Sequence, residues 1–109
     1  ARRCLATVNH PTIRVVSGRL EVFYNHSWGT VCGEGFQDID ATVACKMLGY
    51  GHGWMLPSSI VPDGTGRIWL DKLACHGTEV DLFHCLPSSH KIGVNTCHHE
   101  NDIGVRCSP

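Results

Sequence analysis

Long apolar runs are missing from this chain of 109 residues. The longest apolar stretches are only a few residues, too short to cross a bilayer, and residues 1–9 lack the extended apolar core of a signal peptide. The sequence is therefore typical of a mature or excised domain, and we expect no direct insertion into a membrane.

Charge is also scarce. Charged residues make up 17% of the chain, the formal net charge is -1 with the eight histidines neutral, and the only run of like charge is Arg2-Arg3. Bulk electrostatic attraction to nucleic acid or to an anionic membrane has no support in this pattern. Protonation of the histidines near pH 6 would make the surface basic, so the charge depends on the compartment.

Cysteine, in contrast, is abundant, since seven cysteines occur in one small domain. This density favours disulfides formed in an oxidising compartment. Structural zinc sites are the alternative, but they usually contain CxxC pairs, and the closest cysteines here are ten residues apart. An odd number leaves one cysteine over, and Cys4 near the N-terminus is the natural candidate.

Alternating side chains predict strands near the start of the chain. Residues 13–24 form two short strands around Ser17-Gly18, and we expect Leu20, Val22 and Tyr24 to share one buried face. The polar turn 25–27 then leads into a further extended stretch, which predicts a hairpin.

Helical spacing of apolar residues follows and predicts the main helix over about 39–48, started by Asp38 or Asp40 and ended at Gly49. Residues 49–66 are rich in Gly, Pro and Ser and should be mostly loop. A strand near 67–75, a short helix over about 79–84 and a last strand at 104–107 complete the prediction.

Five motifs arrive in a distinctive order: WGTVC (28–32), DATVACKMLGYG (40–51), GTGRIWLDKLAC (64–75), GTEVDLFHC (77–85) and CHHENDIGVRC (97–107). Together they closely resemble a scavenger receptor cysteine-rich (SRCR) domain over residues 13–107, which leaves 1–12 as an N-terminal extension. The resemblance implies a small disulfide-rich α+β fold, in which a curved antiparallel sheet of about five or six strands cradles one main helix.

The resemblance also implies a disulfide connectivity, which spacing alone leaves among 15 pairings of six cysteines. Because Tyr50 stands where group B members carry an additional cysteine, the chain resembles group A. The pairs implied are Cys32 with Cys97, Cys45 with Cys107, and Cys75 with Cys85. Cys4 matches no family position and is expected either to be a free terminal thiol or to bond a neighbouring domain or chain.

Calcium is the cofactor that the resemblance brings into question. Members that bind calcium carry acidic residues where this chain has Gly33, Glu34 and Asn101, and a second family site corresponds to Gln37, Asp40 and Thr96. Because hard cations need several converging carboxylates, we expect calcium binding to be weak or absent. The residues of such a degraded site would be Glu34, Glu100, Asn101 and Asp40.

Two alternatives for the same segment come from the residues themselves. His98 and His99 are neighbours, so on an extended backbone they point to opposite faces and do not chelate one ion together. Zinc bound by one of them and a distant histidine stays open, beside the simpler reading of solvated loop histidines. Asp102 is expected to accept hydrogen bonds from backbone amides of its own loop.

Catalysis has little support. The expected disulfides consume every cysteine except Cys4, and the chain contains no GxSxG, HExxH or phosphate-binding Gly-rich motif. We therefore predict that the domain is not an enzyme and requires no cofactor.

Several surface features remain. Asn25-His26-Ser27 is an N-glycosylation sequon on the predicted turn. Trp28 and Trp69 lie on strands, where packing is expected. Trp54 is expected to cover the core; if it is exposed instead, it would form a protein-contact patch. The candidates for ligand contact are Trp54, Arg67, Lys72 and Lys91.

The predicted function is that of an extracellular, secreted or membrane-tethered recognition module that binds proteins or polyanionic and microbial surfaces. One alternative is an accessory domain of a larger secreted or membrane enzyme, a protease or an amine oxidase. Another is a structural element for oligomerisation or spacing. The sequence names no ligand, and it favours neither nucleic acid nor lipid as a partner.

Overall fold

The structure is a computed structural model and describes residues 12–109. Seven strands and helices carry the fold: β1 (Ile13–Val16), β2 (Arg19–Tyr24), β3 (Ser27–Val31), α1 (Asp38–Met47), β4 (His52–Leu56), β5 (Ile68–Leu70) and β6 (Gly104–Ser108). Short 3-10 helices lie at Ser58–Ile60, Leu82–Cys85 and His99–Asn101. The predicted α+β class is confirmed: one α-helix packs against a six-stranded sheet in the part of the chain described.

The sheet is mixed rather than wholly antiparallel. Its strands follow the order β4-β6-β2-β3-β5, with β1 paired to β2. β1, β2 and β3 form an antiparallel meander, whereas β5 runs parallel to β3 through Thr30–Ile68 and Val31–Leu70. A parallel pair needs a long crossover, and the chain between β3 and β5 supplies one that contains α1 and β4.

The β2–β3 hairpin forms as predicted. Its two turn residues, Asn25 and His26, have φ angles of 48° and 66°, the left-handed pair that a tight hairpin with right-handed strand twist requires. Leu20 and Val22 are fully buried, but Tyr24 is 40% exposed because it lies at the end of the strand beside the turn. One face of β2 is thus buried only along its first four residues.

Glu21 is a buried charge on the opposite face of β2. It accepts hydrogen bonds from Arg14 Nε at 2.7 Å and from Arg19 Nε at 2.8 Å. Burial pushes the pKa of Glu21 upward, but the hydrogen bonds and positive charges of the two arginines outweigh it and lower the pKa. These two arginines are therefore already engaged and are not free cations of the surface.

Helix α1 begins at Asp38, one residue earlier than predicted, and the left-handed Gly49 follows its end. Its N-cap is Gln37, whose backbone N–H donates to Asp40 Oδ2 at 2.8 Å. Asp38 instead accepts a hydrogen bond from the backbone of Met55 in β4 at 2.9 Å. Of the two predicted caps, Asp40 therefore does hold the start of α1 through a capping box, whereas Asp38 bonds β4 instead.

Strand β4 is the element that the prediction missed within residues 49–66, which are otherwise mostly loop. It pairs with β6 along five residues, from His52–Ser108 to Leu56–Gly104. Gly53, which made the stretch resemble a loop, is required by packing, because a Cβ there would lie 2.5 Å from the carbonyl oxygen of Ala41 in α1. The Thr42 hydroxyl exchanges hydrogen bonds with the backbone of Gly53, and the Asp38 carboxylate accepts one from the backbone of Met55. α1 therefore covers the edge of β4 that does not pair with β6.

The second predicted helix, over about 79–84, is shorter than expected. The chain forms only a 3-10 turn at Leu82–Cys85, capped by the Asp81 side chain. Glu79 does not start a helix, because its carboxylate accepts hydrogen bonds from the backbone N–H groups of His76 and Gly77 and so holds a loop.

Three disulfides join the secondary structure. They link Cys32 with Cys97, Cys45 with Cys107, and Cys75 with Cys85, the pairs that the resemblance implies. The first connects the end of β3 to the last loop, and the second connects α1 to β6. Within residues 12–109, no helix is long and apolar enough to cross a membrane.

Candidate ligand-binding surface

A cleft of about 440 Å³ lies beside the Cys32–Cys97 disulfide. It forms where β3 ends and the chain turns outward, because Gly33 N–H donates to the carbonyl oxygen of Asn101 at 2.8 Å and so joins the two loops. The side chains that line the cleft are mainly small, neutral or apolar: Ser58 and Thr96, with Met55, Pro57 and Ile103. We call this feature the Glu34 cleft, since Glu34 is the charged residue in its wall.

Asp40, one of the predicted metal ligands, is a structural residue. It is 1% exposed, and its two carboxylate oxygens accept hydrogen bonds from backbone N–H groups, Oδ2 from Gln37 and Oδ1 from Cys75, both at 2.8 Å. Burial raises the pKa of Asp40, and the two hydrogen bonds oppose the rise. The predicted role of Asp40 as a metal ligand was wrong, because its carboxylate joins α1 to the loop that follows β5.

Glu34 and Asn101 do come together in the Glu34 cleft, but Glu100 does not line it. The side-chain oxygen of Asn101 is already used, since it accepts a hydrogen bond from the His98 backbone at 3.1 Å. Glu100 is exposed on the 3-10 helix and belongs to none of the clusters of three or more ionisable ligand groups in the described part of the chain. The four predicted ligands therefore do not converge.

Asp71 is the site residue that sequence reasoning missed. It directly follows β5, it is 6% exposed, and its carboxylate lies within 4.8 Å of the Glu34 carboxylate. Burial and the charge of Glu34 raise the pKa of Asp71. Its Oδ1 is one of three buried side-chain oxygens without a hydrogen-bond partner in the described residues, with those of Thr30 and Asp102.

The donors at this place do not fit a tight calcium site. Calcium in proteins takes six to eight oxygen ligands, usually including several carboxylates. Here two carboxylates are adjacent, the nearby cysteines form a disulfide, and Met55, Pro57 and Ile103, which line the cleft, offer no oxygen ligand from their side chains.

Trp54 corrects a second expectation. It was expected to cover the core, but it is 46% exposed on β4, where it stands opposite Arg106 of β6. Trp69, in contrast, is buried and donates from Nε1 to the carbonyl oxygen of Ser27 at 3.2 Å, as packing predicted. The exposed tryptophan therefore lies on a paired strand and not on a flexible loop.

The predicted cationic contacts are dispersed. Arg67 lies 4.8 Å above the Trp69 ring and lines a second, shallow groove of about 300 Å³ together with His98 and His99. Lys72 and Lys91 are exposed and line neither this groove nor the Glu34 cleft. Arg67 is thus the one predicted cation that belongs to a concave part of the described surface.

His99 connects two loops and is not a solvated histidine. Its Nδ1 lies 2.9 Å from Asp102 Oδ2 and its Nε2 lies 2.9 Å from the carbonyl oxygen of Gly66. Both partners can only accept, so both contacts are satisfied together when the imidazole carries two protons. Asp102 Oδ2 also accepts from the Gly64 backbone, so this acid does bind a backbone amide, but the amide belongs to the loop before β5 and not to its own loop.

Stability should therefore depend on pH through His99. Burial alone would lower the pKa of His99, but the hydrogen bonds to Asp102 and Gly66 and the charges of Asp102 and Asp63 raise it above 6.5. A raised pKa in the folded state gives stability that is complete below about pH 6.5 and is lost as the pH rises through the folded value.

His99→Gln tests this dependence. Urea unfolding at about pH 5.5 and about pH 8 should show wild type more stable than the variant at the lower pH, with a smaller difference at the higher pH. His98→Gln is the matched control for loss of the neighbouring imidazole, because His98 has no ion pair to a carboxylate among residues 12–109. An equal difference at both pH values for His99→Gln would contradict the doubly protonated link.

The predictions for the Asn25 sequon and for Cys4 are not tested by the structure. Asn25 is exposed at the tip of the β2–β3 hairpin, and its modification stays a prediction. Cys4 lies outside the described residues.

Comparisons with known proteins agree with the architecture. The sequence profile of the scavenger receptor cysteine-rich domain matches residues 12–108. The chain is 47% identical over 91 residues to macrophage receptor MARCO of Mus musculus, covering 84% of this chain and 17% of that protein. It is 48% identical over 92 residues to lysyl oxidase homolog 2A of Danio rerio, covering 84% of this chain and 12% of that protein. The chain therefore spans less than a fifth of the length of these relatives.

Solved structures give the same result. The dimeric form of the SRCR domain of mouse MARCO superposes with a TM-score of 0.76 at 46% identity, covering 84% of this chain and 85% of that chain. The third SRCR domain of murine neurotrypsin superposes with a TM-score of 0.78 at 36% identity, covering 89% and 95%.

Proposed function

Because the chain belongs to the scavenger receptor cysteine-rich family, we propose that it is an extracellular recognition module. Its ligands are proteins or polyanionic and microbial surfaces, and it has no catalysis of its own. The observation that carries this proposal is Trp54, a large side chain 46% exposed on a paired strand and directly opposite Arg106. Tryptophan and arginine are the residues most often found at the energetic centre of protein interfaces.

The frame around Trp54 supports a binding role. β4 is held by β6 on one edge and by α1 side chains on the other, and the Cys45–Cys107 disulfide connects the two supports. A rigid surface loses little conformational freedom on binding, which favours affinity.

Cationic side chains extend the ligand range to polyanions. Arg67 lines the groove with His98 and His99, and the net charge of -1 becomes positive when histidines are protonated. We propose that capture of sulphated or phosphorylated surfaces strengthens at mildly acidic pH and weakens with added salt.

The absence of catalysis is also part of the proposal. The six cysteines of the described segment are all in disulfides, which removes them as nucleophiles. We further propose that ligand binding needs no calcium, because the Glu34 cleft lacks the ligand set of a tight site.

A binding panel tests the recognition role. The chain, disulfides intact, is presented to immobilised bacteria, sulphated polysaccharide and extracellular matrix proteins, with calcium and with chelator, at neutral and mildly acidic pH. We expect saturable binding to at least one surface, little changed by chelator. Binding to none of them under any condition would contradict the proposal.

Two variants sharpen the panel. Trp54→Ala should weaken binding to a protein ligand about tenfold, as expected for an interface centre. Val80→Ala is the matched control, because Val80 is even more exposed, at 79%, and lies outside the β4–β6 pair. Equal loss in both variants would exclude a specific role for Trp54.

The second candidate is an accessory domain of a larger secreted or membrane enzyme. The identity of 48% to lysyl oxidase homolog 2A favours it, because the chain covers only 12% of that protein. The sequence that flanks this domain in its parent gene decides between the two: a catalytic domain supports the accessory role, and further receptor modules support the first. A bond from Cys4 to a neighbouring domain or chain is compatible with either and is detected by mass analysis without reduction.

A further inference from the structure

The sequon Asn25-His26-Ser27 spans the tight turn of the β2–β3 hairpin. Asn25 and His26 are its two turn residues, and Tyr24 pairs with Ser27 across the strands next to the turn. All four residues are exposed. Asparagine tolerates the left-handed conformation that Asn25 adopts, so the turn presents this side chain without strain from its neighbours.

The weaker pattern Asn95-Thr96-Cys97 differs from this sequon. The Asn95 amide nitrogen donates to the carbonyl oxygen of Ile68 at 2.8 Å, and the amide oxygen accepts from the Cys97 backbone at 3.0 Å. Cys97 is itself in a disulfide. The fold thus uses the Asn95 side chain at both ends, whereas Asn25 is displayed at a hairpin tip.

Tyr24, the residue directly before Asn25, forms an apolar surface beside the turn. Its ring meets Trp69 edge-on, with centroids 5.1 Å apart at 70°, and lies tilted against Phe83 at 5.8 Å. Trp69 Nε1 also donates to the carbonyl oxygen of Ser27 at 3.2 Å, which fixes the end of the hairpin. These contacts hold the Tyr24 ring in place while 40% of the residue remains exposed.

The aromatic residues on the opposite face of the hairpin are better covered. Successive residues of a strand point to opposite faces, so Phe23 lies on the other side of the sheet from Tyr24. Phe23 and Trp28 are half-buried and contact each other at 5.3 Å, and the Arg14 guanidinium lies 4.1 Å over the Trp28 ring. Tyr24 is therefore the most exposed aromatic residue at this end of the hairpin.

We propose that Asn25 carries an N-linked glycan whose first sugar, an N-acetylhexosamine, packs on the exposed part of the Tyr24 ring. In the modification the Asn25 amide nitrogen bonds the anomeric carbon of the sugar, displaces the diphosphate of a lipid-linked oligosaccharide donor and loses one proton. The inference rests on the proposed function only in assigning the chain to a secretory compartment, where this donor is present.

The packing has a physical cause. One face of a pyranose ring exposes mainly C–H groups, so contact with an aromatic ring removes apolar surface of both partners from water. The Cα atoms of neighbouring residues are about 3.8 Å apart, so the first sugar on Asn25 is within reach of the Tyr24 ring. Because the ring is already held by Trp69 and Phe83, the contact costs little conformational freedom.

Secretion from eukaryotic cells tests the modification and its effect on stability. The secreted chain is trimmed by an endoglycosidase to one sugar and compared in urea unfolding with Ser27→Ala, which removes the sequon and retains Asn25 in its left-handed conformation. Mass analysis should show one N-acetylhexosamine at Asn25, and the folding equilibrium constant of the modified chain should be about fivefold larger. A secreted chain with Asn25 unmodified would overturn the proposal.

A double-mutant cycle assigns the stabilisation to Tyr24. Tyr24→Thr is compared with and without the sugar, again through Ser27→Ala, and the fivefold effect should disappear. Tyr50→Thr is the matched control, because Tyr50 is exposed to a similar extent, at 45%, but follows α1 far from the hairpin in sequence. The sugar should keep its full effect in Tyr50→Thr, and an undiminished effect in Tyr24→Thr would exclude the contact.

Proton spectra of the single-sugar form give a test that needs no variant. Sugar ring protons that lie over an aromatic ring are shifted upfield, and we expect this shift together with nuclear Overhauser contacts to the Tyr24 ring. Sugar protons at the positions of a free N-acetylhexosamine, or contacts to Phe23 in place of Tyr24, would contradict the proposed packing.

The glycan and the recognition role fail separately. If the Ser27→Ala chain binds in the ligand panel while the secreted chain has no sugar on Asn25, the recognition role is kept and the glycan is rejected. If the sugar packs on Tyr24 while the panel shows no binding, the glycan is kept and the recognition role is rejected.

Discussion

Replacement of Cys45 and Cys107 together by alanine is expected to lower the free energy of unfolding by roughly 4 kcal/mol. Their disulfide closes a loop with a sequence separation of 62, so its loss frees a large part of the unfolded chain. Cys45 is also a fully buried residue of α1, bonded to Cys107 of β6. Such a loss is a large fraction of the about 5–15 kcal/mol that stabilises a small domain, and removal of a native disulfide from a small disulfide-bonded domain often abolishes folding at about 37 °C.

The Cys75–Cys85 disulfide supplies the comparison. It closes a loop with a separation of only 10 residues, so the corresponding double alanine variant should lose about 3 kcal/mol. Guanidinium unfolding monitored by tryptophan fluorescence, without reductant, gives both values. If the short-loop variant proves the less stable of the two, loop closure is not the main contribution of these disulfides.

Replacement of Asp40 by alanine should be nearly as damaging, with a loss of about 3 kcal/mol or more. The substitution leaves the backbone N–H groups of Gln37 and Cys75 without their acceptor, and both bonds are to a charged group. Asp40→Asn should cost less, because it retains the shape and one acceptor and removes a charge whose pKa burial has raised.

Asp38→Ala is the matched control in the same helical turn. Asp38 is exposed and holds a single backbone N–H, that of Met55, so its loss should amount to about 1 kcal/mol. Urea unfolding of the three variants with disulfides intact measures the order. Equal losses for Asp38→Ala and Asp40→Ala would show that the buried carboxylate does not join α1 to the loop at Cys75.

Local patterns predicted the elements whose signals are local. Helical spacing located α1 to within one residue, and the polar turn at Asn25 predicted the hairpin. β4 was missed because its strand character depends on β6, which lies some fifty residues further along the chain. Gly53 resembles a loop residue in sequence, but in the fold it allows the strand to touch α1.

The residues of the candidate site were also predicted only in part. The family resemblance predicted both Glu34 and Asp40 as metal ligands. Glu34 does line the cleft, whereas the Asp40 carboxylate accepts backbone hydrogen bonds and has a structural role. Asp71 was not named, although an acid directly after the apolar strand Ile68–Leu70 was an available signal. What the sequence does not contain is the direction in which each carboxylate points, which long-range packing determines.

The central proposal is that this chain has the SRCR fold while its Glu34 cleft does not form a tight calcium site. Isothermal titration calorimetry of the oxidised chain with calcium at neutral pH tests it most directly. We predict a dissociation constant no tighter than about 1 mM, the weak end of the range for extracellular calcium modules. A micromolar or tighter constant that disappears in Glu34→Gln would contradict it.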